Sequence, residues 1–159
     1  MKIPIKIYRR NIDVDYPEIL NKGDWIDIST ISNKTIYKNK QIDFDFGIVI
    51  KVPKGYEINI LPRSSTFKKY GLLLTNSMGI IDNSYCGPED FIGGIFYATK
   101  DEYIQAYTRL IQFKVVLSQK ATIWQKLKHI FLYNGIKIVK ISKKELNKNN
   151  RGGYGSTGN

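Results

Sequence analysis

Ile48-Val49-Ile50-Lys51-Val52-Pro53-Lys54-Gly55-Tyr56-Glu57-Ile58-Asn59-Ile60-Leu61 is the stretch whose reading decides the fold. Val52-Pro53-Lys54-Gly55 places Pro and Gly where a type I turn wants them. The flanking residues are apolar throughout or alternate with period two, so Ile42–Leu61 reads as a hairpin. Outward from it, similar runs recur at Ile3–Ile7, Trp25–Ile28, Leu72–Thr75, Phe91–Ala98, Arg109–Leu117 and Ile136–Ile141. Many short strands at that spacing predict an all-β architecture: a sandwich, a distorted jelly roll or a barrel.

Two segments have helical character. Ser65-Thr66-Phe67-Lys68-Lys69-Tyr70-Gly71 begins with a capping residue and stops at Gly, which predicts a single turn near 65–70. Gln119–Leu132 puts Ile123, Trp124, Leu127, Ile130 and Phe131 on one helical face and Lys120, Lys126 and Lys128 elsewhere. That amphipathic helix is expected to pack on the domain or on a neighbouring subunit, with a membrane-surface or nucleic-acid helix as the alternative. His129, alone on it, is expected at the surface or boundary.

At 159 residues and 42% apolar, the chain has enough surface for one domain with its own core. No apolar run approaches the ~20 residues of a membrane-spanning helix. Met1-Lys2-Ile3-Pro4-Ile5-Lys6 lacks the uninterrupted core of a signal peptide, so a soluble, cytoplasmic protein is expected. The single cysteine, Cys86, excludes an internal disulfide and cannot by itself build a zinc site. The formal charge of +11 suits a phosphate-rich partner, nucleic acid or nucleotide, although a codon bias toward Lys, Asn and Ile gives the same surplus. Arg is scarce by comparison, and Arg63, Arg109 and Arg151 fall in segments where a bidentate fork outperforms an ammonium.

The chain ends Arg151-Gly152-Gly153-Tyr154-Gly155-Ser156-Thr157-Gly158-Asn159. Uncovered backbone N–H groups, a guanidinium and two hydroxyls suit a polyphosphate, and Tyr154 suits stacking on a base. The segment reads as a lid that orders over a nucleotide. Lys143–Asn150, polar and rich in Asn and Lys, reads as its tether, which divides the chain into a β domain over 1–142 and a flexible arm over 143–159.

Five segments in order resemble the five motifs of the trimeric dUTPase family, which hydrolyses dUTP to dUMP and pyrophosphate. They are Trp25-Ile26-Asp27-Ile28-Ser29; Pro62-Arg63-Ser64-Ser65; Asn76-Ser77-Met78-Gly79-Ile80-Ile81-Asp82-Asn83-Ser84-Tyr85-Cys86-Gly87; Thr108-Arg109-Leu110-Ile111-Gln112-Phe113; and the terminal segment. The second, third and fifth are specific, and together the five span most of the chain. The resemblance implies the distorted jelly-roll barrel of that family and a homotrimer whose sites draw on three subunits.

It also implies roles. Asp82 matches the catalytic aspartate that deprotonates a water for attack on the α-phosphorus, although an Asp in Ile-Ile-Asp-Asn-Ser also suits a turn residue capping its own backbone. Asn76, with backbone groups of the hairpin around Gly79, matches the reader of the uracil edge. Tyr85 matches the ring under deoxyribose. Arg63, Ser64 and Ser65 match the phosphate-binding segment at a helix start. Gln112 matches a residue that hydrogen-bonds phosphate oxygen, and Arg109 a buttress. Arg151, Tyr154, Gly155, Ser156 and Thr157 match the closing arm. Asp27 matches the aspartate that holds Mg²⁺ through water, the ion being carried largely by the triphosphate.

The chain departs from the family pattern in four ways. Ser84 stands where many members have a second Asp, Arg151 directly precedes the Gly-Gly pair where many members place two residues between them, Tyr154 replaces the commoner Phe or His, and the stretches Gly87–Phe91 and Ser118–Asn134 are longer than in compact members. A dCTP deaminase, which shares the Arg-Ser-Ser segment, needs a proton-shuttling glutamate, and Ile92-Gly93-Gly94-Ile95-Phe96-Tyr97-Ala98 has none. From another class, a regulatory binding protein on the same fold remains an alternative reading.

Overall fold

The computed structural model describes residues 1–19 and 23–153. In chain order the strands are β1 (Ile3–Arg9), β2 (Ile26–Ser29), β3 (Lys34–Ile36), β4 (Gln41–Asp45), β5 (Ile48–Lys51) and β6 (Tyr56–Pro62). Helix α1 (Ser64–Tyr70) separates these from β7 (Leu72–Leu74), β8 (Gly79–Asp82), β9 (Gly93–Ala98), β10 (Glu102–Ile104) and β11 (Arg109–Leu117). Helix α2 (Ile123–Leu132), β12 (Ile136–Lys140) and a 3₁₀ turn at Lys143–Glu145 complete the described chain. The strands associate as β12-β1-β5, β10-β3, β2-β11-β6-β8 and β4-β9-β7. The architecture is mostly β and jelly-roll-like, as the strand spacing predicts.

Alternation sets the faces. Ile3, Ile5 and Ile7 of β1, and Tyr56, Ile58 and Ile60 of β6, point into the core while their neighbours are half-buried. Phe46, Phe96 and Phe113 are fully buried, each favouring the fold by roughly 1.5–3 kcal/mol over exposure.

The expected hairpin over Ile42–Leu61 does not form as a strand pair. The turn itself is present, with Tyr56 N–H donating to Pro53 O at 3.1 Å and Gly55 at φ 89°. The strands on its two sides join different sheets: β5 pairs with β1 (Ile50 opposite Ile7), and β6 lies between β11 and β8. Ile48, Val49 and Ile50 are all buried, so β5 needs cover on both faces, which a two-stranded hairpin does not supply. A left-handed Gly47 (φ 66°), held by Asp45 Oδ1, bends the chain between β4 and β5 and ends the run that reads as continuous in sequence.

Helix α1 is longer than the single turn expected. Buried Thr66 donates its hydroxyl to Leu110 O at 2.6 Å, and Gly71 closes the helix in the left-handed conformation. Helix α2 begins at a Thr122–Gln125 capping box, three residues inside the expected start. Its orientation is the reverse of the usual one. Gln125 donates to Lys54 O at 2.9 Å and His129 meets the Tyr56 hydroxyl at 3.2 Å, while Ile123, Trp124, Ile130 and Phe131 are 65–77% exposed. The polar face holds the helix on the body and the apolar stripe faces out.

Lys143–Asn150 is seated on the body, unlike a free tether. Ser142 and Glu145 form a capping box, and Leu146 is buried with Val49, Cys86 and Ile141. Asn147 N–H donates to Cys86 O at 3.0 Å. One apolar residue among seven polar ones anchors the segment, which composition alone conceals. No helix among the described residues is long and apolar enough to cross a membrane.

Candidate functional site

Sheet β2-β11-β6-β8 carries Asp27, Gly79, Asp82, Arg109 and Gln112, and the described site residues gather around it in two groups. The first surrounds the turn from β7 to β8. Ser77 takes positive φ (59°) there, and its N–H donates to Leu74 O at 3.1 Å, so Asn76 is presented on an exposed tip. Behind the tip lies a cavity of about 250 Å³. Asn76, Gly79, Tyr85 and Arg151 face it, and Ile60, Leu74, Ile81, Phe91 and Ile111 form its apolar wall. Gly93 and Gly94 leave the floor bare, since a Cβ on Gly94 would sit 2.9 Å from the Phe96 ring. The Tyr85 hydroxyl donates to Phe91 O at 3.0 Å, which fixes the ring along one side.

Asp82 ends β8 beside this cavity. One oxygen accepts from the Ser84 amide at 2.8 Å and the Ser84 hydroxyl at 2.6 Å; the other meets Arg151 Nη1 at 3.2 Å. The turn-capping reading of this residue is thus realised in its bonds to Ser84. Partial burial pushes the carboxyl up. The Ser84 hydroxyl and amide, the Arg151 guanidinium and the Tyr85 amide together outweigh that burial and hold it below the ordinary 3.8. Asp82 is therefore an anion at neutral pH. A depressed folded-state value means that the ionised group favours the fold above its unfolded value and loses that contribution as pH falls through the folded one. With the side chain 41% exposed, the contribution is small. Ser84→Ala removes the hydroxyl bond, so the Asp82 titration midpoint, followed by carboxyl NMR, is expected to rise; an unchanged midpoint would mean the hydroxyl is not holding the charge.

The second group lies where β2, β11 and β6 meet α1. Asp27 is only 14% exposed, and its oxygens accept from Arg63 Nε at 2.8 Å and Arg109 Nη1 at 3.4 Å. Gln112 stands opposite Asp27 across the β2–β11 ladder and donates to Pro62 O at 3.4 Å. Ser64 is exposed and Ser65 half-buried at the start of α1. Asp27 thus bridges two guanidinium groups with one negative charge, leaving the cluster net positive, and sets the direction of both. Among the described residues no group of three or more His, Cys, Asp or Glu side chains could hold a metal ion.

Asp82 and Arg63 are not brought together within one chain. Asp82 pairs with Glu57 at one end of β6, and Arg63 follows Pro62 at the other. Six residues of extended strand separate them, roughly 20 Å. Tyr154, Gly155, Ser156 and Thr157 lie outside the described residues.

Sequence reasoning missed Asp90. It is 2% exposed and accepts from the amides of Gly87, Arg151 and Gly152 at 2.8, 2.9 and 3.2 Å. Its only trace in the sequence is a carboxylate inside the extra Gly87–Phe91 loop.

The dUTPase family model matches residues 25–151. An SPbeta prophage-derived deoxyuridine 5'-triphosphate nucleotidohydrolase of Bacillus subtilis is 34% identical over 139 residues, covering 87% of each chain. A deoxyuridine 5'-triphosphate nucleotidohydrolase of Finegoldia magna is 29% identical over 158 residues, covering 99% of each. Among solved structures, a variant dUTPase from phage phi11 of Staphylococcus aureus, described with a structural Mg(II) ion, superposes with a TM-score of 0.65. That match has 15% identity and covers 75% of this chain and 94% of that one. The dUTPase of Streptococcus mutans gives 0.60 at 20% identity, covering 67% and 88%. At these identities the two structures speak for the fold.

Proposed function

The chain belongs to the dUTPase family, and we propose that it hydrolyses dUTP to dUMP and pyrophosphate, with Asp82 activating the attacking water. The observation that carries this reading is an ionised Asp82 beside a cavity lined by Asn76, Gly79 and Tyr85. The cavity is smaller than the roughly 300–1,000 Å³ of drug-sized sites, which suits a nucleoside and leaves the phosphates outside it, toward Asp82.

In this reading Asn76 and the backbone around Gly79 hold the uracil edge, and Tyr85 backs the deoxyribose. Asp82 accepts a proton from water as the water oxygen bonds to the α-phosphorus. The bond from that phosphorus to the α,β-bridging oxygen breaks, and pyrophosphate leaves with its electron pair. Arg63, Ser64, Ser65, Gln112 and Arg151 serve the phosphates. The arm expected over 143–159 is reduced by the seating of Lys143–Asn150 on the body to the chain end beyond it, which closes over bound substrate with Tyr154 stacking on uracil and Gly155, Ser156 and Thr157 donating to phosphate oxygens. Removing dUTP limits uracil incorporation into DNA and supplies dUMP; a nucleotide substrate fits a cytoplasmic setting.

Mg²⁺ bound to the triphosphate would neutralise charge on the phosphate chain. The side chains fit an ion brought by substrate and not one caged by protein, because the described residues hold no cluster of three or more ligating side chains and Asp27, already paired with two arginines, offers a single carboxylate for a water-mediated contact. A homotrimer with shared sites is part of the proposal. The separation of Asp82 from Arg63 along β6 supports it, since a second copy can bring its Arg63 group to the first copy's Asp82.

Pyrophosphate release from dUTP, dCTP, dTTP and UTP, each with Mg²⁺ and with EDTA, tests the reading. Release from dUTP alone, and only with metal, is expected. Equal release from dCTP or UTP would contradict the assignment of the cavity.

A further inference from the structure

Helix α2 turns its apolar side outward, and nothing in the proposed chemistry uses it. Six of its ten residues, Ile123, Trp124, Leu127, Ile130, Phe131 and Leu132, are large apolar side chains exposed to solvent, and none of the ten is buried. Protein surfaces rarely gather apolar side chains into one patch without a partner for it. The outward direction is built in. Thr122 and Gln125 cap the start of the helix, Gln125 donates to Lys54 O at 2.9 Å, and the rings of His129 and Tyr133 lie 5.7 and 6.4 Å from that of buried Tyr56. Gly55 leaves room for this seat, because a Cβ there would lie 2.5 Å from Gln125 Oε1. The nucleoside cavity is lined by other elements.

The charges around the stripe have one sign. At about 100° per residue, Ile123, Trp124, Leu127, Ile130 and Phe131 cover an arc of about 120°, and Lys126 and Lys128 stand about 40° beyond its two edges. Both lysines are exposed, as is Lys120 just before the cap. Residues 118–137 contain four lysines and no Asp or Glu. An apolar stripe with a cation on each rim fits a surface that is apolar beneath and negative at its border, which describes an anionic lipid leaflet. The apolar groups enter the acyl boundary while the lysine stems run back to the headgroups. Trp124 suits that depth, since its ring is apolar and its N–H still finds a polar partner. A second copy of the helix fits less well, because stripe against stripe sets lysine against lysine.

We infer that α2 is a peripheral membrane anchor that takes an anionic lipid surface. Ten helical residues are about 15 Å long, half of what a bilayer core requires, so the helix lies in the interface plane and does not cross it. The inference goes beyond the proposed dUTP hydrolysis and does not rest on it, since its test reads binding and not turnover.

The full chain is floated with vesicles of phosphatidylcholine alone and of an equal mixture with phosphatidylglycerol. Binding to the mixture that weakens steeply with salt, and little binding to phosphatidylcholine alone, are expected. Trp124→Ser together with Phe131→Ser should weaken it by about 100-fold, roughly tenfold for each ring withdrawn from the boundary. Lys126→Glu together with Lys128→Glu should weaken it by about 25-fold or more, each lysine being worth roughly fivefold near such a surface. All four side chains are exposed, so an unchanged Tm is expected in both double variants and separates lost binding from lost folding. In a Trp25→Phe chain, Trp124 emission should shift to the blue on the mixed vesicles and be quenched by brominated acyl chains.

No binding of the native chain to the anionic vesicles would overturn the inference. Binding that survives the two serine substitutions would overturn it as well, because the lysines would then act without the stripe. Sedimentation without lipid supplies the last outcome: an assembly that the serine substitutions take apart would show the stripe covered by a second copy and would also overturn the anchor. Pyrophosphate release at the native level is expected from both double variants without lipid, so a native chain that fails to hydrolyse dUTP counts against the proposed function alone.

Discussion

Asp82→Asn is expected to lower pyrophosphate release from dUTP by about 100- to 10,000-fold, the range over which a positioned general base contributes. The substitution keeps the shape of the side chain and an oxygen that still accepts from the Ser84 amide and hydroxyl, so the turn after β8 is retained. It removes the negative charge and with it the capacity to take a proton from water near neutral pH. The Arg151 guanidinium loses its partner at 3.2 Å, but both groups are about 40% exposed, so little stability goes with it. The measurement is turnover at saturating dUTP together with the melting temperature. A large loss of turnover at an almost unchanged Tm fits the account. A loss of only a few fold would remove Asp82 from the reaction.

The second large effect is expected from ending the chain at Asn150. Arg151 is deleted along with the residues that follow, and turnover should fall by about 100-fold or more, as for the loss of a preorganised group that stabilises transition-state charge. Composition suggests that this end can be removed without consequence for the body. The structure changes that expectation. Asp90 loses the amides of Arg151 and Gly152, keeps only that of Gly87, and opens to water. Two charge-assisted bonds partly replaced by water correspond to about 2 kcal/mol, or a Tm lower by roughly 4–8 °C in a domain of this size. A calorimetric scan of the shortened chain checks the second figure while the pyrophosphate assay checks the first. Full activity in the shortened chain would contradict a role for the arm.

The site was more legible in the sequence than the sheet pairing. Asp82, Asn76, Gly79 and Tyr85 lie within ten residues, so one tight turn brings them to one place whatever the rest of the fold does. Arg63, Asp27 and Gln112 are far apart in sequence but occur in recognisable segments, and the β2–β11–β6 ladders place them side by side. What stayed hidden depends on long-range choices. The turn at Pro53–Gly55 is real, yet nothing local says that the strands it joins go to different sheets; burial on both faces of Ile48–Ile50 decides that. The amphipathic pattern of α2 was readable, but its direction was not: Gln125 and His129 take the inner face, and Trp124 and Phe131 are left outside. Asp90 was invisible for a related reason. A carboxylate in a polar loop looks like a solvated surface residue until the end of the chain, some sixty positions later, closes over it.

The most direct test of the central claim, that the water activated by Asp82 attacks the α-phosphorus of dUTP, is hydrolysis in ¹⁸O-labelled water with the products resolved by mass. The account predicts that the label enters dUMP and that the pyrophosphate is unlabelled, with both products forming far more slowly in Asp82→Asn. Label in the pyrophosphate would place the attack on the β-phosphorus and contradict it.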